Sequence, residues 1–192
     1  MVTKNKDTTQ EVLKVASQLF SKQGYFGTSM SDIASEVGVS KSALYYHFES
    51  KEALCRELMQ SSCDELKVEL KQAVKDNITP FDVLFIIVKV LLDFRLKHPE
   101  LNLLTSVGLS SDEKEPIVQF IADLRMKLLK FIRELIGDVD FVRRKGRKFL
   151  FVFSASLLSF VLSPLIPDDM KSSEVSEQMI RAIAGKKENS YV

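Results

Sequence analysis

The chain has 192 residues, 27 basic and 26 acidic side chains, a formal net charge of +1 and 45% hydrophobic content. That length holds one medium domain, or a small one joined to a larger one, with an ordinary core. The charge balance excludes a strongly basic nucleic-acid coat protein. The polar stretch Met1–Gln10 has no apolar signal-peptide segment, so a soluble cytoplasmic protein is the expectation.

The first helix is predicted to start near Thr8, because Thr8-Thr9-Gln10-Glu11 has capping-box spacing. Val12, Val15, Ala16, Leu19 and Phe20 then repeat as one buried face. Gly24 is expected to end it as a left-handed cap. Ser29 can cap a second helix with Asp32 at its N3 position, and Ile33, Ala34 and Val37 face inward. Gly38 suits the next turn because it tolerates positive φ. Ser40 then caps a third helix through about Phe48.

A long fourth helix is expected from Lys51 towards Val74. Thr79-Pro80 opens a fifth, Phe81 to about Lys97, which His98-Pro99 ends. A short helix over Glu100–Val107, a polar loop over Gly108–Lys114 and a long amphipathic helix over Pro116–Ile136 follow. A further helix from about Asp140 closes at Pro164 and Pro167, and a last one covers Ser173–Ala184, before a polar tail, Gly185–Val192. Nothing argues for a strand. The expected fold class is all-α, with about nine helices.

The third helix can be worked from its angles. At about 100° per residue, Leu44 and Phe48 share one side and are the natural core anchors. Ser42 and Tyr46 then fall at about 160° and 200° from Leu44, directly away from the core. Ala43 and Tyr45 flank them, and Lys41 and His47 lie at the edges. This outward surface suits a duplex: small residues let the helix enter the major groove, and tyrosines reach phosphate or a base edge. Lys51, beside the free amides of the next helix start, has the character of a phosphate site, as do Thr28 and Ser29 at the second helix. The segment reads as a helix-turn-helix.

The run Gly24-Tyr25-Phe26-Gly27-Thr28-Ser29-Met30, then Ile33-Ala34, then Val37 to Phe48, then Lys51-Glu52-Ala53-Leu54 strongly resembles the TetR family of bacterial transcriptional repressors. The resemblance covers about the first 55 residues. It implies a DNA-binding domain over residues 1–50 and an effector-binding and dimerisation domain over residues 51–192. It implies that Thr28, Ser29, Lys41, Tyr46, His47 and Lys51 contact the DNA backbone. It further implies that Ser40, Ser42, Ala43 and Tyr45 lie at or near base edges. The implied partners are double-stranded operator DNA, a second copy of the chain and a small-molecule effector. Met1–Gln60 holds seven basic and seven acidic residues, so any DNA affinity must come from local charge placement and from two copies of the site.

In the second half, Phe81, Leu84, Ile87, Val88, Leu91 and Phe94 crowd one helix, and Phe120, Leu124, Leu128, Phe131 and Ile132 another. An ordinary core and an apolar effector pocket both fit this pattern; the family resemblance points to the pocket, whose residues stay unassigned. Phe149–Ile166 is an apolar run of transmembrane length, interrupted by Ser154, Ser156, Ser159 and Ser163. A buried dimer helix paired with Glu174–Ala184 is expected there, and no membrane span. Arg143–Lys148 holds five basic residues in six. It reads as a solvated helical turn or a partner for acidic groups across a dimer, with an anionic site as the third reading. Cys55 and Cys63, about 12 Å apart along a helix, are expected to be reduced thiols.

The leading expectation is a homodimeric, ligand-responsive repressor that needs no cofactor or metal. An enzyme is not expected: the only histidines are His47 and His98, and no nucleophile–base pair or phosphate loop is present. The alternative is a helical protein-interaction module without effector control.

Overall fold

The computed structural model describes residues 2–74, 80–107, 115–137, 171–175 and 177. Eight helical segments are found among them, with no strand. They are α1 (Val2–Gly27), α2 (Met30–Val37), α3 (Lys41–His47), α4 (Lys51–Ala73), α5 (Pro80–Lys97), a 3-10 helix (Pro99–Asn102), α6 (Leu103–Ser106) and α7 (Pro116–Gly137). The loop expected over Gly108–Lys114, the basic run Arg143–Lys148, the apolar run Phe149–Ile166 and the tail Gly185–Val192 lie outside the described residues. So does nearly all of the last expected helix. Among the described residues, no helix is long and apolar enough to cross a membrane.

Two sequence expectations for α1 need correction. The helix starts at Val2, not near Thr8. No glycine or proline precedes Thr8, so nothing obliges the chain to begin there. Thr9 instead turns its hydroxyl to His47 Nδ1, 3.2 Å away. Gly24 has the expected positive φ of 72°, but its ψ of 171° is not that of a left-handed helical cap. That pairing is open essentially to glycine alone. It breaks the helix and throws Tyr25–Gly27 into a separate turn.

The described residues fall into two compact units. One comprises the described parts of Met1–Glu65 and His98–Met126; the other comprises the described parts of Leu66–Lys97 and Lys127–Val192. The boundaries fall within α4, at the end of α5 and within α7. In the first unit, Val12, Ala16 and Phe20 of α1 are buried, as are Ile33, Leu44, Phe48, Leu54 and Met59. The 3-10 helix and α6 pack against α1, and Leu101, Leu103 and Leu104 are buried. In the second unit, Ile87, Val88, Leu91 and Phe94 of α5 are buried, with Leu66, Leu70, Leu128 and Ile132. Cys55 and Cys63 are buried free thiols. Burial pushes the Cys55 thiol up to about 12, which keeps it protonated and unreactive.

The first unit also holds a buried carboxyl group. Glu100 is 1% exposed and accepts from Ser17 Oγ of α1 and Ser62 Oγ of α4, each at 2.5 Å. His98 Nδ1 lies 3.2 Å from the same carboxyl, and its Nε2 3.8 Å from Glu65. The His98-Pro99 break is therefore also a junction, bringing one polar side chain under two helices.

Candidate nucleic-acid interface

Local chemistry builds the α2–turn–α3 unit. Ser29 caps α2 with a full capping box: its hydroxyl accepts from Asp32 N at 3.1 Å, and its own N–H donates to Asp32 Oδ2 at 2.8 Å. Hydrogen bonding to the carboxylate, from the Ser29 hydroxyl and then from the Ser29 N–H, holds the Asp32 carboxyl below its ordinary range. Gly38 ends α2 at φ 77° and ψ 30°, and its N–H returns to the carbonyls of Ala34 and Ser35. Val39 N adds a 3.0 Å bond to Ala34 O. A Cβ at residue 38 would meet no atom, so glycine is needed there for its backbone alone.

The chain then restarts at once. Ser40 Oγ accepts from Ala43 N at 3.1 Å, opening α3, and Phe48 N closes it on Leu44 O at 3.0 Å. Leu44 is fully buried and Phe48 is 3% exposed. These two residues fix which face of α3 points outward. Tyr46 is 81% exposed and Tyr45 44% exposed, while Lys41, Ser42 and Ala43 are exposed. The angular reading thus describes the helix as it stands. Tyr46 packs edge-on against the His47 ring at 5.6 Å, and His47, half-buried, is held by Thr9.

The remaining expected contacts sit differently. Ser29 and Ser40 are exposed, and each hydroxyl accepts from the backbone. Thr28 is only 2% exposed, and its hydroxyl donates to Gly24 O at 2.9 Å. Lys51 turns inward: its Nζ donates to Tyr25 O at 2.8 Å and Thr28 O at 2.9 Å, and sits 4.2 Å from the Tyr25 ring centroid. The structure therefore brings Ser29, Ser40, Lys41, Ser42, Ala43, Tyr45, Tyr46 and His47 to the outer side of the unit, and places Thr28 and Lys51 behind it.

Sequence reasoning missed two participants. Tyr25 is buried against Phe20 and Phe26 and carries the Lys51 ammonium on its ring. Burial, aided by the neighbouring Cys55 and Glu52, pushes its phenol up to about 12. The glycine before it was the available signal, since a positive φ at Gly24 redirects the carbonyls that follow. Thr9 carried no such signal, because its partner is 38 residues away.

Residues 12–58 match the family described as bacterial regulatory proteins, tetR family. An HTH-type transcriptional regulator of Staphylococcus aureus strain MRSA252 is 31% identical over 96 residues, which is 50% of this chain and 52% of that protein. The chain thus spans about half the length of the curated relatives it matches. Solved structures extend the likeness over the whole fold. A TetR-family transcriptional regulator from Bordetella parapertussis 12822 superposes with a TM-score of 0.75 at 20% identity, covering 96% of this chain and 97% of that one. AibR, in complex with isovaleryl coenzyme A and operator DNA, gives a TM-score of 0.73 at 20% identity, covering 91% and 97%. The matched segment contains the whole capped helix-turn-helix and its outward tyrosines. Residues 12–58 are thus similar to the tetR family of bacterial regulatory proteins, and the chain shares its fold with solved TetR-family regulators.

Proposed function

We propose that this protein is a homodimeric transcriptional repressor whose α3 reads operator DNA and whose C-terminal part responds to a small hydrophobic effector. The observation that carries the reading is the outward face of α3. Two large aromatic side chains stand in solvent on a short helix pinned from behind by Leu44 and Phe48. An exposed tyrosine pair is poorly explained by packing and well explained by a groove.

In this reading Ser42, Ala43 and Tyr45 meet base edges. Ser29, Ser40, Lys41, Tyr46 and His47 meet phosphates or the groove rim. Residues 1–50 carry the reading surface, and residues 51–192 carry the effector and dimer functions. The compact unit around α3 also draws in residues 51–65 and 98–126. Two copies of α3 would enter successive major grooves about 34–36 Å apart on a palindromic operator. Effector binding need only favour a state with different spacing to release it. A solved neighbour complexed with isovaleryl coenzyme A, and another described as a fatty acid degradation regulator, make fatty acids the first effectors to try, with their coenzyme A thioesters as the larger, more strongly anionic alternative.

The test is Tyr46→Ala in a fluorescence-anisotropy titration against a duplex selected from random-sequence DNA by the wild-type protein. Affinity should fall about tenfold or more with an unchanged melting temperature. Unchanged affinity in the folded variant would remove α3 as the reading surface. A helical interaction module would show weak duplex binding without a steep salt dependence.

A further inference from the structure

Lys51 turns its ammonium onto the protein's own backbone. An ammonium has three N–H donors and no acceptor. Here two of them are committed to backbone carbonyls, Tyr25 O at 2.8 Å and Thr28 O at 2.9 Å. The Tyr25 ring covers a further side of the same nitrogen at 4.2 Å. Both carbonyls belong to the turn that Gly24 starts. That turn is otherwise tied by Thr28 N to Tyr25 O at 3.4 Å and by the Thr28 hydroxyl to Gly24 O at 2.9 Å. The residue that follows it, Ser29, is the cap of α2. Lys51 itself opens α4, where Ser50 Oγ accepts from Ala53 N at 3.0 Å. One ammonium therefore pins the exit of α1 and the entrance of α2 to the first turn of α4.

We propose that Lys51 is a positioning residue for DNA recognition: its ammonium locks the Tyr25–Thr28 turn, and so sets the direction in which Ser29 launches α2 and, through Gly38, α3. This rests on the DNA-reading function proposed above. Reaching a phosphate would require the ammonium to leave both carbonyls and the ring, giving up two part-buried hydrogen bonds. The half-buried site also lowers the Lys51 pKa, chiefly through desolvation, as befits a cation turned away from water. Tyr25 supplies the wall that makes the site. Lysine suits it better than arginine, because a compact point charge can sit between two carbonyls over a ring where a planar fork cannot.

Three measurements on the full chain separate positioning from phosphate contact. Salt dependence of duplex affinity counts released counterions, and a lost phosphate contact lowers the slope of log K against log salt by about 0.9 per subunit. Lys51→Met should weaken binding to the selected duplex about tenfold or more while leaving that slope unchanged. Lys51→Arg should fail to restore binding, although it restores the charge. Hydrogen exchange of the free protein should quicken at residues 24–29 in Lys51→Met and not at residues 40–48. A slope reduced by about 0.9 per subunit, or full rescue by arginine, would overturn the proposal in favour of a direct phosphate contact. Unchanged exchange at residues 24–29 would also overturn it, with no DNA needed. If the wild-type protein selects no duplex, the DNA-reading function fails, while the exchange result still decides whether Lys51 locks the turn.

Discussion

Around α2 and α3, the bonds that shape the backbone span three to five residues. Ser29 pairs with Asp32, Gly38 with Ser35, Val39 with Ala34, and Ala43 with Ser40. Around Glu100 the partners come from residues 17, 62 and 98, so the bonds to Ser17 and Ser62 reach across 83 and 38 positions. The first region sets its own shape and then hangs on two apolar anchors. The second has its geometry set by whichever helices it joins. A surface that must keep one form while meeting another molecule is built from local rules. A junction between helices is built from distant ones.

The largest effect expected on either side of this contrast is Leu44→Ala. Its side chain is fully buried and holds α3 to the core. Loss of about 2–5 kcal/mol is expected in urea unfolding, with duplex binding lost as well. Glu100→Ala comes next, at about 1–3 kcal/mol. It strips Ser17 of its buried acceptor, while Ser62 can fall back on Leu58 O at 3.0 Å. If Glu100→Ala proved the costlier of the two, the junction rather than the apolar anchor would dominate this unit. Ser40→Ala should be smallest, about 1 kcal/mol, because a helix cap is a single local bond. Its loss should appear as faster hydrogen exchange confined to α3, and exchange spreading to α1 would break the idea of a self-shaped region.

The same contrast explains what could be read from the chain. Ser29, Gly38, Ser40 and the outward position of Tyr46 follow from capping preferences and a 100° helical step, and the structure has them where those rules put them. The long helices α4, α5 and α7 were legible from apolar spacing and from Pro80, Pro99 and Pro116. The inward turn of Lys51 was not legible, for a physical reason. A lysine at a helix start looks available to phosphate until one knows that a backbone turn 23–26 residues earlier aims two carbonyls at it. Glu100 carries no marker either, since neither Ser17 nor Ser62 stands out in its own helix. The start of α1 was misplaced because residues that spell a capping box at Thr8 can also lie inside a continuing helix, where Thr9 instead meets His47.

The shortness of α3 bears on how much sequence one copy could read. Its seven residues extend about 10 Å, close to three base-pair steps. Three fully specified pairs carry about 6 bits, and two such half-sites about 12, whereas singling out one location among about a million needs about 20. Under the proposed function, the shortfall would have to be met by the bend, twist and groove width of the operator, felt through the hydroxyls and the lysine at the rim of the helix. Operator variants altered only between the half-sites should then discriminate almost as strongly as variants under the tyrosines.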